Sequence, residues 1–139
     1  MPSQPPLKHP EKVICFHDNS SIANTVGVYE TVTIDVQKVI ESWKNSLFSY
    51  EWIGKDGFKS LEDLPEKDRK RRNNIEEKIA NKQPIEKPIL GIGVMDNIEI
   101  GSGRAVLLTL AIHGAQTLPV HIRISQKEFF TDFIARDKT

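Results

Sequence analysis

The segment that most constrains the fold is a nearly all-apolar run from Ala105 to Ile112. It is long and rich in leucine for a strand, so it is predicted to be a helix. Gly114 follows closely, in the position where a glycine commonly ends a helix. A helix that is apolar on every side has to be buried, so the rest of the chain must enclose it.

Strand patterns lie on both sides of this helix. Pro88 to Val94 and Ile98 to Ile100 are separated by a turn signal, which predicts a hairpin. Pro119 to Ile124 alternates apolar residues with His121 and Arg123, as a strand with two unlike faces does. This part of the chain therefore predicts a small sheet beside the buried helix.

The first half of the chain adds further strands and helices. Val13 to His17 and Val26 to Ile34 have the composition of strands. An amphipathic helix is predicted from Val36 to Trp43, with Asp35 as its N-cap. A charged helix is predicted from Pro65 to about Ala80.

A last helix is predicted near the C-terminus, where Ser125 and Glu128 have the spacing of a capping box. Phe129, Phe130 and Phe133 follow and are expected to face inward. Strands and helices thus occur in mixed order, and the predicted fold class is α+β.

The length of 139 residues is enough for one core but not for two. We therefore predict a single domain over residues 12–139. Residues 1–11 contain several prolines and no long apolar run, and they are predicted to form a flexible arm.

Composition limits the location and the partners. The 19 basic and 19 acidic residues balance, which argues against a surface that attracts nucleic acid or membrane over its whole extent. No apolar run approaches the roughly 18 residues of a membrane-spanning helix. The one cysteine, Cys15, favours a reducing cytoplasm, and because it lies in an apolar run it is predicted to be buried.

The sequence Gly-Ser-Gly-Arg at positions 101–104 joins the predicted hairpin to the buried helix. Glycines such as Gly101 and Gly103 permit positive φ and close approach of a ligand. A helix start offers unpaired N–H groups and positive charge, which favour an anion such as phosphate. Ser102 adds a hydroxyl, and Arg104 adds a charged bidentate donor. Many glycine-rich turns hold no ligand, so the spacing leaves both interpretations open.

The order of the motifs around this loop resembles the ParB/sulfiredoxin superfamily. An entry strand contains Pro88-Ile89-Leu90, an apolar helix follows the loop and ends at His113-Gly114, and a Pro-Val strand comes next. In that superfamily a Gly-x-x-Arg loop opens a helix and binds nucleotide phosphates. The resemblance implies one ParB/sulfiredoxin-like domain with a small mixed sheet and packed helices. It places a phosphate site at Gly101, Ser102, Gly103 and Arg104.

The chain as a whole is most similar to the plasmid fertility inhibition factors. Val32 to Val36 runs into a helix that ends Glu41-Ser42-Trp43, and Pro84 to Pro88 matches a Pro-Ile-Glu-x-Pro approach to the next strand. Such families block DNA export through conjugation or type IV secretion machinery. The resemblance implies nucleotide binding, with ATP and Mg²⁺ as expected cofactors, together with ATP hydrolysis or DNA cleavage.

Two departures from these families bear on catalysis. Ser102 stands where sulfiredoxins carry their catalytic cysteine, so a sulfinic-acid reductase is not expected. Gly103 stands where superfamily members often have histidine, which removes a phosphate donor or an acid–base group. The alternative function is therefore a non-catalytic module that docks on a secretion or conjugation component.

Further residues are candidates for the same site. Arg104 would stabilise charge in a transition state, and Glu99 would act as a base or help to hold Mg²⁺. His121 would reach a phosphate if its face of the strand lies toward the loop. No set of His, Cys and acidic residues has the spacing of metal ligands, so no metal site made by the protein is predicted.

Five basic residues fall between Lys67 and Arg72. On a helix such a run surrounds much of the circumference. One interpretation is a solvated surface balanced by neighbouring acidic residues. The other is salt-sensitive contact with the phosphate backbone of DNA, made by Arg69, Lys70, Arg71 and Arg72.

Overall fold

The computed structural model describes residues 8–10 and 13–135. Its helices and strands follow one another in mixed order along the chain. They are β1 (Phe16–His17), β2 (Tyr29–Asp35), α1 (Val36–Trp43), β3 (Ile53–Gly54), β4 (Gly57–Phe58), α2 (Glu66–Ala80), β5 (Ile85–Glu86), β6 (Ile89–Ile92), β7 (Ile98–Ser102), α3 (Arg104–Ile112), β8 (Thr117–Arg123) and α4 (Lys127–Phe130).

The main sheet has the strand order β2-β8-β6-β7. Strand β8 pairs antiparallel with β2 over its whole length and parallel with β6, where Ile89 lies opposite His121. Strands β6 and β7 form the predicted hairpin. Two small sheets, β1 with β5 and β3 with β4, complete the set among the described residues. The mixed sheet with packed helices confirms the predicted α+β class.

Helix α3 is the buried helix that its composition predicts. Its residues Leu107, Leu108 and Leu110 are fully buried, and α2 and α1 pack against it. Burying one such leucine contributes about 2 kcal/mol to folding. The helix ends as predicted, with Gly114 at φ 90°, a left-handed conformation that glycine adopts without strain.

The N-cap predicted for the first helix, α1, is confirmed, whereas the one predicted for the last helix, α4, is wrong. Asp35 caps α1 as expected, since its carboxylate accepts a hydrogen bond of 3.1 Å from the Lys38 N–H. The Ser125–Glu128 capping box was wrong, because α4 begins only at Lys127 and no side-chain cap is found at its start among the described residues. A short 3₁₀ turn over Ile124–Gln126 occupies the place where the cap was expected.

The prediction that Cys15 is buried was also wrong, since its side chain is exposed. Ile14 and Phe16 pack against the core. Cys15 lies between these two side chains at the entry to β1, and it faces solvent. The apolar neighbours of Cys15 are therefore in contact with the core, but Cys15 itself is not.

Strand β2 starts later than its composition suggests. Val26 is exposed, and Gly27 has a φ of 76°, which interrupts extended structure before Tyr29. The predicted arm lies partly outside the described residues, which do not include 1–7 and 11–12. Within it, the Lys8 carbonyl accepts a hydrogen bond of 2.7 Å from the Gln116 N–H.

In the ranges 8–10 and 13–135, no helix has both the length and the apolar character needed to cross a membrane.

Candidate functional site

The Gly-Ser-Gly-Arg segment forms a tighter turn in the structure than the four-residue loop that the sequence predicts. Gly101 and Ser102 end β7, Arg104 begins α3, and Gly103 connects them. Ile89 pairs with Ser102 and Leu90 with Ile100, so Gly101 is an extra residue of β7. Such a β-bulge redirects the side chain that follows it.

Gly103 is fixed by the backbone. Its φ is 82°, and a Cβ atom at this position would lie 2.8 Å from the Cα of Pro88. Both the conformation and the close contact exclude larger residues. The turn therefore brings the chain before β6 directly against the start of α3.

The start of α3 has the properties of an anion site. No side chain among the described residues caps it, and the first hydrogen bond within the helix runs from the Leu107 N–H to the Gly103 carbonyl. The N–H groups of the first turn have no partner within the helix, and they carry the positive end of its dipole. An anion placed there would be stabilised.

A buried asparagine that was not predicted organises the polar residues beside this helix start. Asn19 is 1% exposed. Its Nδ2 group donates to the Lys87 carbonyl at 2.9 Å and to Ser102 Oγ at 3.1 Å. Its Oδ1 atom accepts from the Ser21 N–H at 2.9 Å. Asn19 thus joins the turn after β1, the segment between β5 and β6, and the end of β7.

His121 lies in contact with Asn19 and is 2% exposed. The backbone N–H of Asn19 donates to His121 Nε2 at 3.1 Å, and Nδ1 lies 3.4 Å from Thr31 Oγ1. Because Nε2 accepts, the proton of the neutral ring is on Nδ1 and points toward the Thr31 hydroxyl. His121 therefore reaches the candidate site through Asn19.

The environment of His121 favours the neutral ring. Burial lowers its pKa below the usual value, the positive charge of Lys87 acts in the same direction, and the carboxylate of Asp18 opposes both. A neutral ring is the form that can accept from Asn19.

Lys87 brings a positive charge to the same group of residues. Its Nζ atom lies 3.0 Å from Asp18 Oδ1 and 3.3 Å from Thr31 Oγ1. The hydrogen bond and charge of Lys87 lower the pKa of Asp18. Asp18 Oδ1 also lies 3.9 Å from His121 Nε2. We call Asn19, Ser102, Lys87, His121 and Asp18 the Asn19 cluster.

Arg104 is held on the α1 side of the helix start. Its guanidinium lies 5.0 Å from the ring centre of Phe48 and 5.9 Å from that of Trp43, the last residue of α1. These are cation–π distances. Its Nε atom is buried and has no hydrogen-bond partner in the described chain.

Glu99 is turned toward the hairpin end of β7. Its Oε2 atom accepts a hydrogen bond of 3.2 Å from Asn97 Nδ2. Asn97 directly precedes β7, whereas Ser102 is its last residue. The structure thus does not bring the Glu99 carboxylate to the Asn19 cluster.

The basic residues of α2 lie on different sides of the helix. Arg72 is 14% exposed, and its Nε atom lies 3.5 Å from Glu76 Oε2, which also contacts His113 Nε2 at 2.7 Å. Lys70 and Arg71 are exposed, and Arg69 is half-buried. Arg72 thus packs toward α3, while Lys70 and Arg71 face solvent.

An open cavity of about 1170 Å³ lies at the opposite end of α3. Its walls come from the β2–α1 junction, the β3–β4 hairpin and the end of α3, and they carry charges of both signs, such as Lys38 and Glu41. Neither the residues 101–104 nor the Asn19 cluster lines it. Among the described residues, no group of three or more His, Cys, Asp or Glu side chains is placed to hold a metal ion.

No protein-family model, curated protein or solved structure matches the chain.

Proposed function

We propose that the chain is a fertility-inhibition-type protein of the cytoplasm. It would bind the phosphates of a nucleotide at the start of α3 and block DNA transfer through conjugation or type IV secretion machinery. The observation that carries the nucleotide part is the hydrogen bond from Asn19 Nδ2 to Ser102 Oγ, beside a helix start without a side-chain cap. The transfer part rests on the resemblance of the sequence to that family.

The hydrogen bond to Ser102 has a chemical consequence. Because Ser102 Oγ accepts from Asn19, the hydroxyl proton is available to donate elsewhere. A phosphate oxygen in front of α3 would take this proton together with the first N–H groups of the helix. The Lys87 ammonium, paired with Asp18, adds a positive charge within the Asn19 cluster.

ATP with Mg²⁺ is the proposed cofactor. Mg²⁺ is commonly bound by substrate phosphates with few protein ligands, so the described residues need not form a metal cluster of their own. Glu99 contacts Asn97 rather than the Asn19 cluster. To hold Mg²⁺ with the nucleotide, the Glu99 carboxylate would have to leave Asn97 and turn toward the start of α3.

The test is thermal unfolding in the presence of ATP, ADP, CTP or GTP, with and without Mg²⁺. A ligand at about 100 times its Kd adds about 2.7 kcal/mol to the free energy of unfolding. We expect such a stabilisation for the wild type and a smaller one for Ser102→Ala and Arg104→Ala. Lys55→Gln, in the exposed turn between β3 and β4, is the control and should behave as wild type. Absence of stabilisation by every nucleotide would contradict the proposal.

Catalysis is the further part of the proposal. Arg104 and the first N–H groups of α3 would stabilise negative charge during ATP hydrolysis or DNA cleavage. Turnover that is lost in Arg104→Ala while nucleotide-free stability is retained would support it. If the wild type turns over neither ATP nor plasmid DNA, the catalytic part of the proposal is contradicted and only nucleotide binding remains proposed.

A second candidate function is a non-catalytic docking module. The observation that favours it is a group of exposed apolar side chains after α1, with Leu47 83%, Phe48 50% and Tyr50 67% exposed. Exposed apolar groups of this kind are typical of protein interaction sites. In a DNA-transfer assay, docking predicts that Leu47→Ser with Tyr50→Ser abolishes the block and that Ser102→Ala retains it. The nucleotide proposal predicts the reverse.

A further inference from the structure

We propose that Asn19 is a positioning residue of the phosphate site and that His121 makes its hold on Ser102 depend on pH. This inference rests on the proposed function, because it concerns the same site. The buried imidazole of His121 would control anion binding through Asn19, although the ring does not contact the anion.

Asn19 connects the imidazole to the site through its two ends. Its backbone N–H is anchored on His121 Nε2 at 3.1 Å. Its side chain holds Ser102 Oγ at 3.1 Å and the Lys87 carbonyl at 2.9 Å. Since Asn19 and His121 are both buried, a shift at the anchor is transmitted to Ser102.

Protonation of the ring would break this anchor. A proton on Nε2 would place two donors, the Asn19 N–H and the ring N–H, opposite each other at 3.1 Å. The acceptor at hand is Asp18 Oδ1, which lies 3.9 Å from Nε2. Asp18 also holds Lys87 Nζ at 3.0 Å, so a protonated His121 would compete with Lys87 for the same carboxylate.

The charges that face His121 define the direction of the effect. Burial and Lys87 disfavour the imidazolium, and Asp18 favours it. The neutral ring, and with it the anchored Asn19, is therefore the form present at neutral pH. Anion binding is expected to be strongest there and to weaken as the pH falls.

The experiment is titration of the protein with ATP and Mg²⁺ at pH 7.5 and at pH 5.5. His121→Gln retains an acceptor for the Asn19 N–H but does not titrate. His113→Gln is the matched control, because His113 is half exposed and contacts Glu76, away from the Asn19 cluster. Comparison of the variants removes the effect of protonation of ATP itself.

We expect acidification to weaken ATP binding by wild type and His113→Gln about three- to tenfold more than it weakens binding by His121→Gln. This range corresponds to the loss of about one hydrogen bond. Equal pH profiles for wild type and His121→Gln would overturn the inference and leave the nucleotide site standing. A wild type that binds more tightly in acid than His121→Gln would also overturn it, since it would indicate direct attraction between imidazolium and phosphate. If the wild type binds ATP neither at pH 7.5 nor at pH 5.5, the proposed function is overturned as well.

A second measurement does not depend on the folding of a variant. Long-range ¹H–¹⁵N correlation spectra of the wild type at pH 7.5 should show His121 with its proton on Nδ1 and with Nε2 unprotonated. A proton on Nε2 would overturn the inference, because Nε2 could not then accept from Asn19.

Discussion

At the scale of single residues, Asn19 joins three segments of the chain at the candidate site. It is buried, and its side chain makes hydrogen bonds to Lys87, Ser102 and Ser21. Asn19→Ala removes these bonds and leaves their partly buried partners Lys87 and Ser102 without them, which we expect to lower the free energy of unfolding by about 1 to 3 kcal/mol. Urea unfolding would measure the loss.

Asn45→Ala is the control for that experiment. Asn45 is exposed and donates one hydrogen bond, of 3.3 Å, to the Ser42 carbonyl nearby in the chain. Its replacement should change the free energy of unfolding by no more than about 0.5 kcal/mol. Similar losses in the two variants would show that Asn19 has no special role in joining the three segments.

His121 also predicts a pH dependence of stability. Its pKa is lowered in the folded protein from the value of 6.5 that it has in the unfolded chain. Between those two values the unfolded chain binds more protons, so stability is fully present above about pH 6.5 and is lost as the pH falls toward the folded pKa. His121→Gln should show a smaller loss on acidification than wild type, and urea unfolding at pH 7.5 and pH 5.5 would measure it. An unchanged loss would contradict the lowered pKa.

Ser102 and His121 could be predicted as site residues from the sequence, whereas Asn19 could not. Ser102 belongs to a local motif, and His121 is visible from strand alternation. The hydrogen bonds of Asn19 join it to residues 68, 83 and 102 positions away. In the sequence, Asn19 lies in a short polar stretch, which predicts an exposed loop rather than a buried residue that joins distant segments.

At the scale of elements, the junction between β7 and α3 depends on Gly103. Gly103→Ala combines a positive φ with a Cβ atom 2.8 Å from the Pro88 Cα. Gly27→Ala is the matched control, because Gly27 has a φ of 76° but no atom within 4 Å of the new Cβ. The control should lose about 1 to 2 kcal/mol from backbone strain, and Gly103→Ala should lose clearly more. Equal losses in urea unfolding would contradict the close packing of this junction.

Helix α2 separates the structural and the candidate DNA-binding roles of its basic residues. Arg72 contacts Glu76 on the side that faces α3, whereas Lys70 and Arg71 are exposed. Arg72→Gln should lower the unfolding midpoint, while Lys70→Gln with Arg71→Gln should not. If α2 binds DNA, the double variant should also weaken salt-sensitive retention on heparin. If retention on heparin does not change in the double variant, Lys70 and Arg71 belong to an ordinary solvated surface.

Elements were predicted well where their signal is local. The apolar pattern of α1, the charged run of α2 and the apolar run of α3 each lie within one stretch of chain. The end of β7 was not predicted, because it depends on pairing of Ser102 with Ile89 across the hairpin and on the bulge at Gly101. The expected four-residue loop is consequently a tight turn.

At the scale of the whole molecule, α3 separates two regions. The Asn19 cluster lies near its first turn, and the open cavity of about 1170 Å³ lies near its last turn. Mixed strand and helix patterns were sufficient to predict an α+β fold. Periodicity does not determine strand order, and it gave no sign that β8 would lie between β2 and β6.

The most direct test of the central claim is a titration of ¹⁵N-labelled protein with ATP and Mg²⁺, followed by amide chemical shifts. A nucleotide at the start of α3 predicts that the largest changes occur at Ser102, Gly103 and Arg104, with smaller changes at Asn19. Changes concentrated at the other end of α3, from Ala111 to Gln116, would place the ligand in the open cavity. That result, or no change in any amide, would contradict the proposed phosphate site.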